Sequence, residues 1–254
     1  MTDVHMPLTA HLEELRWRLI KSLAAVALAF AATYNLADWL FSFLTAPLLA
    51  MNPGPVELIG TGVTEAFFTK LKVSLIAAIF VSSPVLFYQA WKFVAPGLYD
   101  QEKRYVQPFV FFATIFFIMG AAFCYWVVFP VGYRFFIDQY ESIGVSPSIR
   151  ISEYLSFSAR MLLAFGATFE MPVITFFLAR MGLVTHKSML AYGRYAVLII
   201  FIVAGVLTPG PDVASQLLMA GPLLVLYALS IGVAYMFGTE AARGADQTTD
   251  HGTA

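Results

Sequence analysis

The chain has 254 residues, 59% of them apolar and only 12% charged, with a mean hydropathy of +0.76. A soluble domain is typically about 45–50% apolar and about 25% charged, so this composition argues against a water-soluble protein and for a polytopic membrane protein. The net charge of −1 excludes no partner, because charge in such a chain is sorted by side of the membrane and averages out.

The first expected element is a helix through HLEELRWR, residues 11–18, where Leu12, Leu15 and Leu19 share one face at spacings of 3 and 4. Glu14 and Arg18 stand i, i+4, in the order that favours an ion pair. Thr9 is the expected N-cap, and Glu13 lies near the positive end of the helix dipole. Two readings of these residues stay open. One is a solvated amphipathic lead-in to a membrane helix; the other is an acidic, arginine-bordered surface that receives a cationic partner.

Crossing about 30 Å of hydrocarbon takes about 20 apolar residues. Six stretches are expected as spans, approximately 19–41, 68–91, 107–130, 155–180, 194–208 and 215–237, the fifth being only about 15 residues long. In the first, Ala29, Phe30 and Ala31 resemble a cleavage site for a signal peptide. The apolar run continues past them to Trp39 and Phe41, and the block before it is mixed in charge, so a retained span is expected.

Between the spans, Asn-Pro-Gly-Pro (52–55) and Ser-Pro-Ser (146–148) read as turns in two longer connections, about 42–67 and 131–154. The connection FVAPGLYDQEKR, residues 93–104, sets Asp100 and Glu102 beside Lys103 and Arg104, either as an ordinary loop with a helix start at Asp100 or as a second acidic surface. In the fourth span Glu170 lies near the centre and Pro172 follows it, which should bend the helix. A carboxylate there costs on the order of 2.5–3.5 kcal/mol on insertion scales, so Glu170 should face protein or water. It either bonds a neighbouring span or serves a site. Asp212 and Gln216 stand one helical turn apart at the mouth of a tight hairpin, Thr-Pro-Gly-Pro-Asp (208–212), where Asp212 alone could be a cap. The tail from Thr239 is small and polar.

Lysine and arginine set the orientation. With the N-terminus inside, ten (Arg16, Arg18, Lys21, Lys92, Lys103, Arg104, Arg180, Lys187, Arg194 and Arg243) fall on the inner side and five (Lys70, Lys72, Arg134, Arg150 and Arg160) on the outer. Both termini are therefore expected in the cytoplasm. The two acidic segments then share that side and break its purely basic expectation.

Several chemistries are absent. There is no GxxxxGK[ST] loop, no HExxH and no acid pair within the spans. The four histidines lie outside the apolar runs, and a single cysteine, Cys124, allows no internal disulfide and argues against a thiolate metal cluster. No internal repeat of the inverted-transporter kind is visible.

Taken in order, these segments resemble the TatC family, the signal-recognition subunit of the twin-arginine (Tat) protein translocase. The resemblance runs to about Gly238. It is carried by HLEELRWR, Thr-Ala-Pro-Leu (45–48), FYQAWKFVAPGL (87–98), Tyr125 to Pro130, ATFEMP (167–172) and TPGPDVASQ (208–216). Gly210 separates two prolines that the family commonly has adjacent, and Thr168 stands where Ser is frequent; neither change touches a charge.

The resemblance implies an all-α membrane protein: six transmembrane helices, N-in/C-in, forming a curved open-sided helical scaffold. It implies one transmembrane domain over 1–238 and a flexible cytoplasmic tail over 239–254. The implied function is a non-enzymatic receptor in the inner membrane of a bacterium. It would bind twin-arginine signal peptides at its cytoplasmic face and, with TatA- and TatB-type single-span partners and other copies of itself, move folded proteins using the proton-motive force. No cofactor, metal or nucleic acid is implied. Glu14 and Glu102 match the positions for the arginine pair, with Arg16, Arg18, Leu15 and Phe93 as neighbouring recognition positions. Glu170 matches an intramembrane polar contact, and Asp212, Gln216, Tyr125 and Pro47 match partner-contact positions.

Physics supports the first assignment. A guanidinium forks onto a carboxylate bidentately and an ammonium does not, so paired acids can select Arg over Lys. An exposed ion pair is worth about 0–1 kcal/mol, so specificity needs a partly dry site, which Leu15 and Phe93 would supply. A secondary transporter would show several polar groups at the midplane and an intramembrane enzyme a catalytic pair; neither pattern is present, and the receptor reading is preferred.

Overall fold

The computed structural model describes residues 8–50, 57–94, 106–207 and 213–238. In chain order it has helices α1 (Leu8–Tyr34) and α2 (Ala37–Ala50), strand β1 (Glu57–Ile59), helices α3 (Glu65–Val94) and α4 (Val106–Phe123), a π-helical turn (Cys124–Val128), α5 (Phe129–Ser142), strand β2 (Ser148–Arg150), and helices α6 (Ile151–Arg180), α7 (His186–Ala191), α8 (Gly193–Leu207) and α9 (Val213–Phe237). The chain divides into two compact units, Met1–Phe43 with Thr64–Ile115, and Leu44–Val63 with Phe116–Ala254.

In the first unit α1 packs on α3. Thr33 Oγ1 donates to the Ser74 carbonyl at 2.8 Å, and Lys70 Nζ meets Asp38 Oδ1 at 2.6 Å, which fixes the antiparallel register of the pair near the start of α3. Pro84 lies inside α3 and cannot donate to Phe80 O. Ser83 Oγ donates to that same carbonyl at 2.7 Å, so the group freed by the proline stays satisfied and the helix runs on.

The second unit is built around α6, which packs on α9, while α8 and α9 pair as a hairpin. Aromatic side chains fill its interior: Phe129 and Phe165 are fully buried, and Phe123 lies 6.0 Å from Phe165 and 5.5 Å from Phe169 between ring centroids. Gly120 and Gly166 let helices close up. A Cβ at Gly120 would stand 2.5 Å from Phe165 O, and one at Gly166 would stand 2.7 Å from the Phe117 ring. The end of α6 is set by Gly182 at φ 74°, a left-handed conformation that glycine adopts without a Cβ penalty.

Four helices are long and apolar enough to cross a membrane: Glu65–Phe93, Gln107–Ser142, Ile151–Arg180 and Met219–Phe237 among the described residues. A fifth crossing is counted if α1 and α2 are taken together, across a bend of 84°. The protein is thus a multi-pass helical membrane protein. The expected fifth span is α8, whose 15 residues fall short of the about 20 needed for a crossing.

Other boundaries differ from the sequence reading. Helix α1 starts at Leu8, so Thr9 lies in its first turn and not at the N-cap. The first span ends at Tyr34, and Trp39 and Phe41 belong to α2 across the bend. The third span does not stop near residue 130: the helix passes through the π-turn and α5 to Ser142, because Phe129 N–H reaches five residues back to Cys124 O and so accommodates Pro130. Ser148 of the expected Ser-Pro-Ser turn opens β2, which pairs in parallel with β1 from Glu57↔Ser148 to Ile59↔Arg150. Helix α6 continues through Pro172 to Arg180. The Asn-Pro-Gly-Pro turn, Asp100, Glu102, Asp212 and the tail lie outside the described residues.

The two glycine contacts make unequal demands. Gly120→Ala meets a backbone carbonyl that cannot swing away, whereas Gly166→Ala meets a ring that can. Gly120→Ala is expected to cost about 1–3 kcal/mol and to lower the unfolding midpoint in detergent more than Gly166→Ala does. Equal midpoints by scanning fluorimetry would refute this close approach of α4 and α6.

Candidate functional site

The acidic lead-in is ordered on α1. Arg18 Nε donates to Glu14 Oε1 at 3.0 Å, and Arg18 Nη2 bonds the same oxygen. The two side chains are only 17% (Arg18) and 25% (Glu14) exposed, so this pair is drier than an ordinary surface pair. Both bonds fall on Oε1, leaving Oε2 of Glu14 without a donor among the described residues. A carboxylate accepts at both oxygens, so Arg18 fixes the Glu14 rotamer and leaves one face for a second cation.

Around it lies an apolar rim. Leu12, Leu15, Trp17 and Leu19 are exposed, Leu15 at 41%, as is Arg16. One turn before Glu14, the His11 ring stacks on Phe93 at 4.4 Å and 21°, tying the start of α1 to the end of α3. Two residues earlier, buried Trp91 stacks on Phe109 of α4 at 4.2 Å. These two stacks hold the chain on either side of 95–105, the connection that carries Glu102. Phe93 and Glu14 are therefore brought to one end of the α1–α3 pair, and Glu102 lies outside the described residues.

The remaining predicted positions belong to the second unit. Glu170 on α6 is 6% exposed, and neither carboxyl oxygen has a hydrogen-bond partner among the described residues. A buried polar group without a partner costs roughly 1–3 kcal/mol, a cost that nothing among the described residues offsets at Glu170. Gln216 Nε2 donates to Phe201 O at 2.8 Å, joining α9 to α8, and a Cβ at Gly205 would stand 3.2 Å from that nitrogen. Gln216 thus has a structural duty in the hairpin. Tyr125 is half-buried in the π-turn, with edge contacts to Trp126 and Phe129 at 5.6 and 6.3 Å. Pro47 is buried inside α2. Asp212 lies outside the described residues.

Next to Pro47 runs a buried polar chain that the sequence reading missed. Tyr154 OH donates to Leu44 O at 2.6 Å, and Ser158 Oγ donates to Tyr154 O at 2.9 Å. The single Ser158 proton is thereby used, so Tyr133 OH donates in the 2.9 Å contact with Ser158 Oγ. The chain fastens α2 and α5 to α6. Its sequence signal was the pairing of Tyr154 and Ser158 at i, i+4 on α6. His11 was also missed, although its position three residues before Glu14 puts it on the same helix face.

Comparison with known proteins gives a consistent outcome. The family model "Sec-independent protein translocase protein (TatC)" matches residues 10–222. The chain is 46% identical to the Sec-independent protein translocase protein TatC of Desulforapulum autotrophicum, with 97% of this chain and 93% of that protein covered. It is 48% identical to the TatC protein of Campylobacter jejuni over 88% of this chain and 91% of that one. A crystal structure described as the Twin Arginine Translocase Receptor TatC superposes with a TM-score of 0.79 at 36% identity, covering 88% of this chain and 97% of that chain.

If the His11–Phe93 stack holds the end of α3 in place, His11→Ala should speed amide exchange at residues 90–93. An aromatic pair worth about 0.5–1.5 kcal/mol corresponds to a roughly two- to tenfold change. Exchange mass spectrometry in detergent checks this, and unchanged protection at those amides would show the stack to be incidental.

Proposed function

The chain belongs to the TatC family of Sec-independent protein translocase proteins, and from that membership and the geometry of Glu14 we propose that it is the receptor for twin-arginine signal peptides. It is a transport component and not an enzyme. The observation that carries the receptor reading is the half-buried Glu14, oriented by Arg18, with one oxygen left over and the exposed Leu15 and the His11–Phe93 stack beside it. Glu102, from the connection after Phe93, supplies the second carboxylate. Arg16 and Arg18 border the site and repel cations that fail to engage an acid. Exposed Leu12, Leu15 and Leu19 of α1 take the apolar part of the signal peptide next to its arginines.

In this scheme the protein makes six crossings as one domain over 1–238, with α8 as a short crossing in a thinned region, and 239–254 forms a flexible cytoplasmic tail. Both termini lie in the cytoplasm and the membrane is the inner membrane of a bacterium, in keeping with the ten inner and five outer basic residues. Single-span TatA- and TatB-type subunits and further copies of the chain complete a path for folded cargo, driven by the proton-motive force. Glu170 offers its carboxyl to a polar group on a partner helix or on the inserted signal peptide, which its lack of an internal partner favours. Asp212, Gln216, Tyr125 and Pro47 serve contacts with those partners. For Gln216 the carbonyl oxygen and the second amide N–H serve such a contact, since the first N–H holds Phe201 O.

Photocrosslinking to a twin-arginine peptide in membranes tests the site. Glu14→Gln with Glu102→Gln should reduce crosslinking by about tenfold or more, since charge-assisted hydrogen bonds to arginine are lost. Arg→Lys in the peptide should weaken binding to the wild type and make little difference to the double variant. Undiminished crosslinking in the double variant, or crosslinks confined to residues 57–64 and 143–150, would sink the assignment.

A further inference from the structure

On the face of the α1–α3 pair near its α2 end lies a groove of about 460 Å³, lined by Leu23, Ala27 and Phe30 of α1 and by Leu71, Lys72 and Leu75 of α3. Its walls are apolar apart from Lys72. No function proposed above uses it. We propose that this groove holds one acyl chain of an anionic phospholipid, with the lipid phosphate on the Lys72 ammonium.

The depth of the groove fits that occupant. The α1–α2 bend carries exposed Tyr34 and Trp39 and the Asp38–Lys70 ion pair, a set of residues suited to a membrane–water interface. With a rise of 1.5 Å per residue, Phe30 and Leu23 lie roughly 6 and 16 Å along α1 below Tyr34. One leaflet of hydrocarbon is about 15 Å deep, so this wall, roughly 10 Å long from Phe30 to Leu23, covers about two thirds of a single acyl chain.

The charge fits as well. Lys72 is two residues past Lys70, and a helical Cα–Cβ bond tilts towards the helix N-terminus. For Lys72 that direction leads up the groove to the interface level, where a long basic side chain extends from an apolar stem to a headgroup. Lys72 lines the groove directly, whereas Lys70 does not line it and is paired with Asp38 at 2.6 Å. An ammonium has three donors and can serve a phosphate while keeping a protein contact. An apolar peptide segment is a poorer occupant, because it brings no negative charge to Lys72.

The test uses full-length protein in mixed micelles and two lipids with the same diazirine-bearing acyl chain, a phosphatidylglycerol and a phosphatidylcholine. Crosslinks are mapped to residues 23–30 and 68–75. Phosphatidylglycerol should label these segments about fivefold more than phosphatidylcholine, the preference expected of one basic residue near a headgroup. Lys72→Gln should abolish the preference, Lys72→Arg should keep it, and Ala27→Trp should remove labelling by both lipids while crosslinks elsewhere persist. Equal labelling by the two lipids overturns the proposal, as does an unchanged preference in Lys72→Gln or groove labelling that survives Ala27→Trp. Displacement of the label by a twin-arginine peptide that itself crosslinks to these segments would also overturn it, giving the groove to the peptide. None of these readouts depends on Glu14 or Glu102.

Discussion

Hydrocarbon offers no water to a backbone carbonyl, so each helical proline that strands one must be answered locally. In α3, Ser83 hands its hydroxyl to the carbonyl that Pro84 leaves. Before Pro130 the chain answers differently, widening to a π-turn in which Phe129 N–H reaches Cys124 O. These devices keep long helices unbroken and so decide where side chains emerge. Without the π-turn, the face of the helix from Gln107 to Ser142 would be rotated after Phe123, and Tyr133 would not meet Ser158.

The same constraint separates two carboxylates that look alike in sequence. Glu14 has its donor on its own helix, four residues on, and keeps partial contact with water. Such a group is ordered before any ligand arrives and can exchange water for a guanidinium at modest cost. Glu170 is buried with no partner among the described residues. It behaves as a stored penalty that a partner's donor can relieve. In the proposed scheme the first suits reversible recognition of a peptide, and the second suits assembly within the membrane.

Much of this was legible in the sequence and some was not, for definite reasons. Apolar length gave the cores of the four long apolar helices, since it reports on insertion energy directly. It could not locate Tyr34 as the end of α1, because the apolar run continues unchanged through the 84° bend into α2. It also could not see β1 and β2, whose three residues each are too few for a period-2 pattern and pair across a long separation in sequence. The i, i+4 rule gave the Glu14–Arg18 pair because the interaction is local. The His11–Phe93 stack and the Tyr154–Leu44 bond join residues far apart in the chain, and no periodicity encodes them.

Locality also bears on how Arg can be preferred to Lys at a site that is itself bordered by arginines. Arg18 consumes Oε1 of Glu14, so an incoming cation meets Oε2 and the charge of Arg18 together. A lysine pays the same repulsion, and its three splayed donors do not match two carboxylate oxygens in one plane. An arginine can bond Oε2 with one nitrogen and reach a second acceptor with the next, which the carboxylate of Glu102 could provide. In the proposed receptor scheme the internal arginine thus raises the threshold for binding, and a planar guanidinium with two parallel donors is favoured over an ammonium, whose donors splay apart.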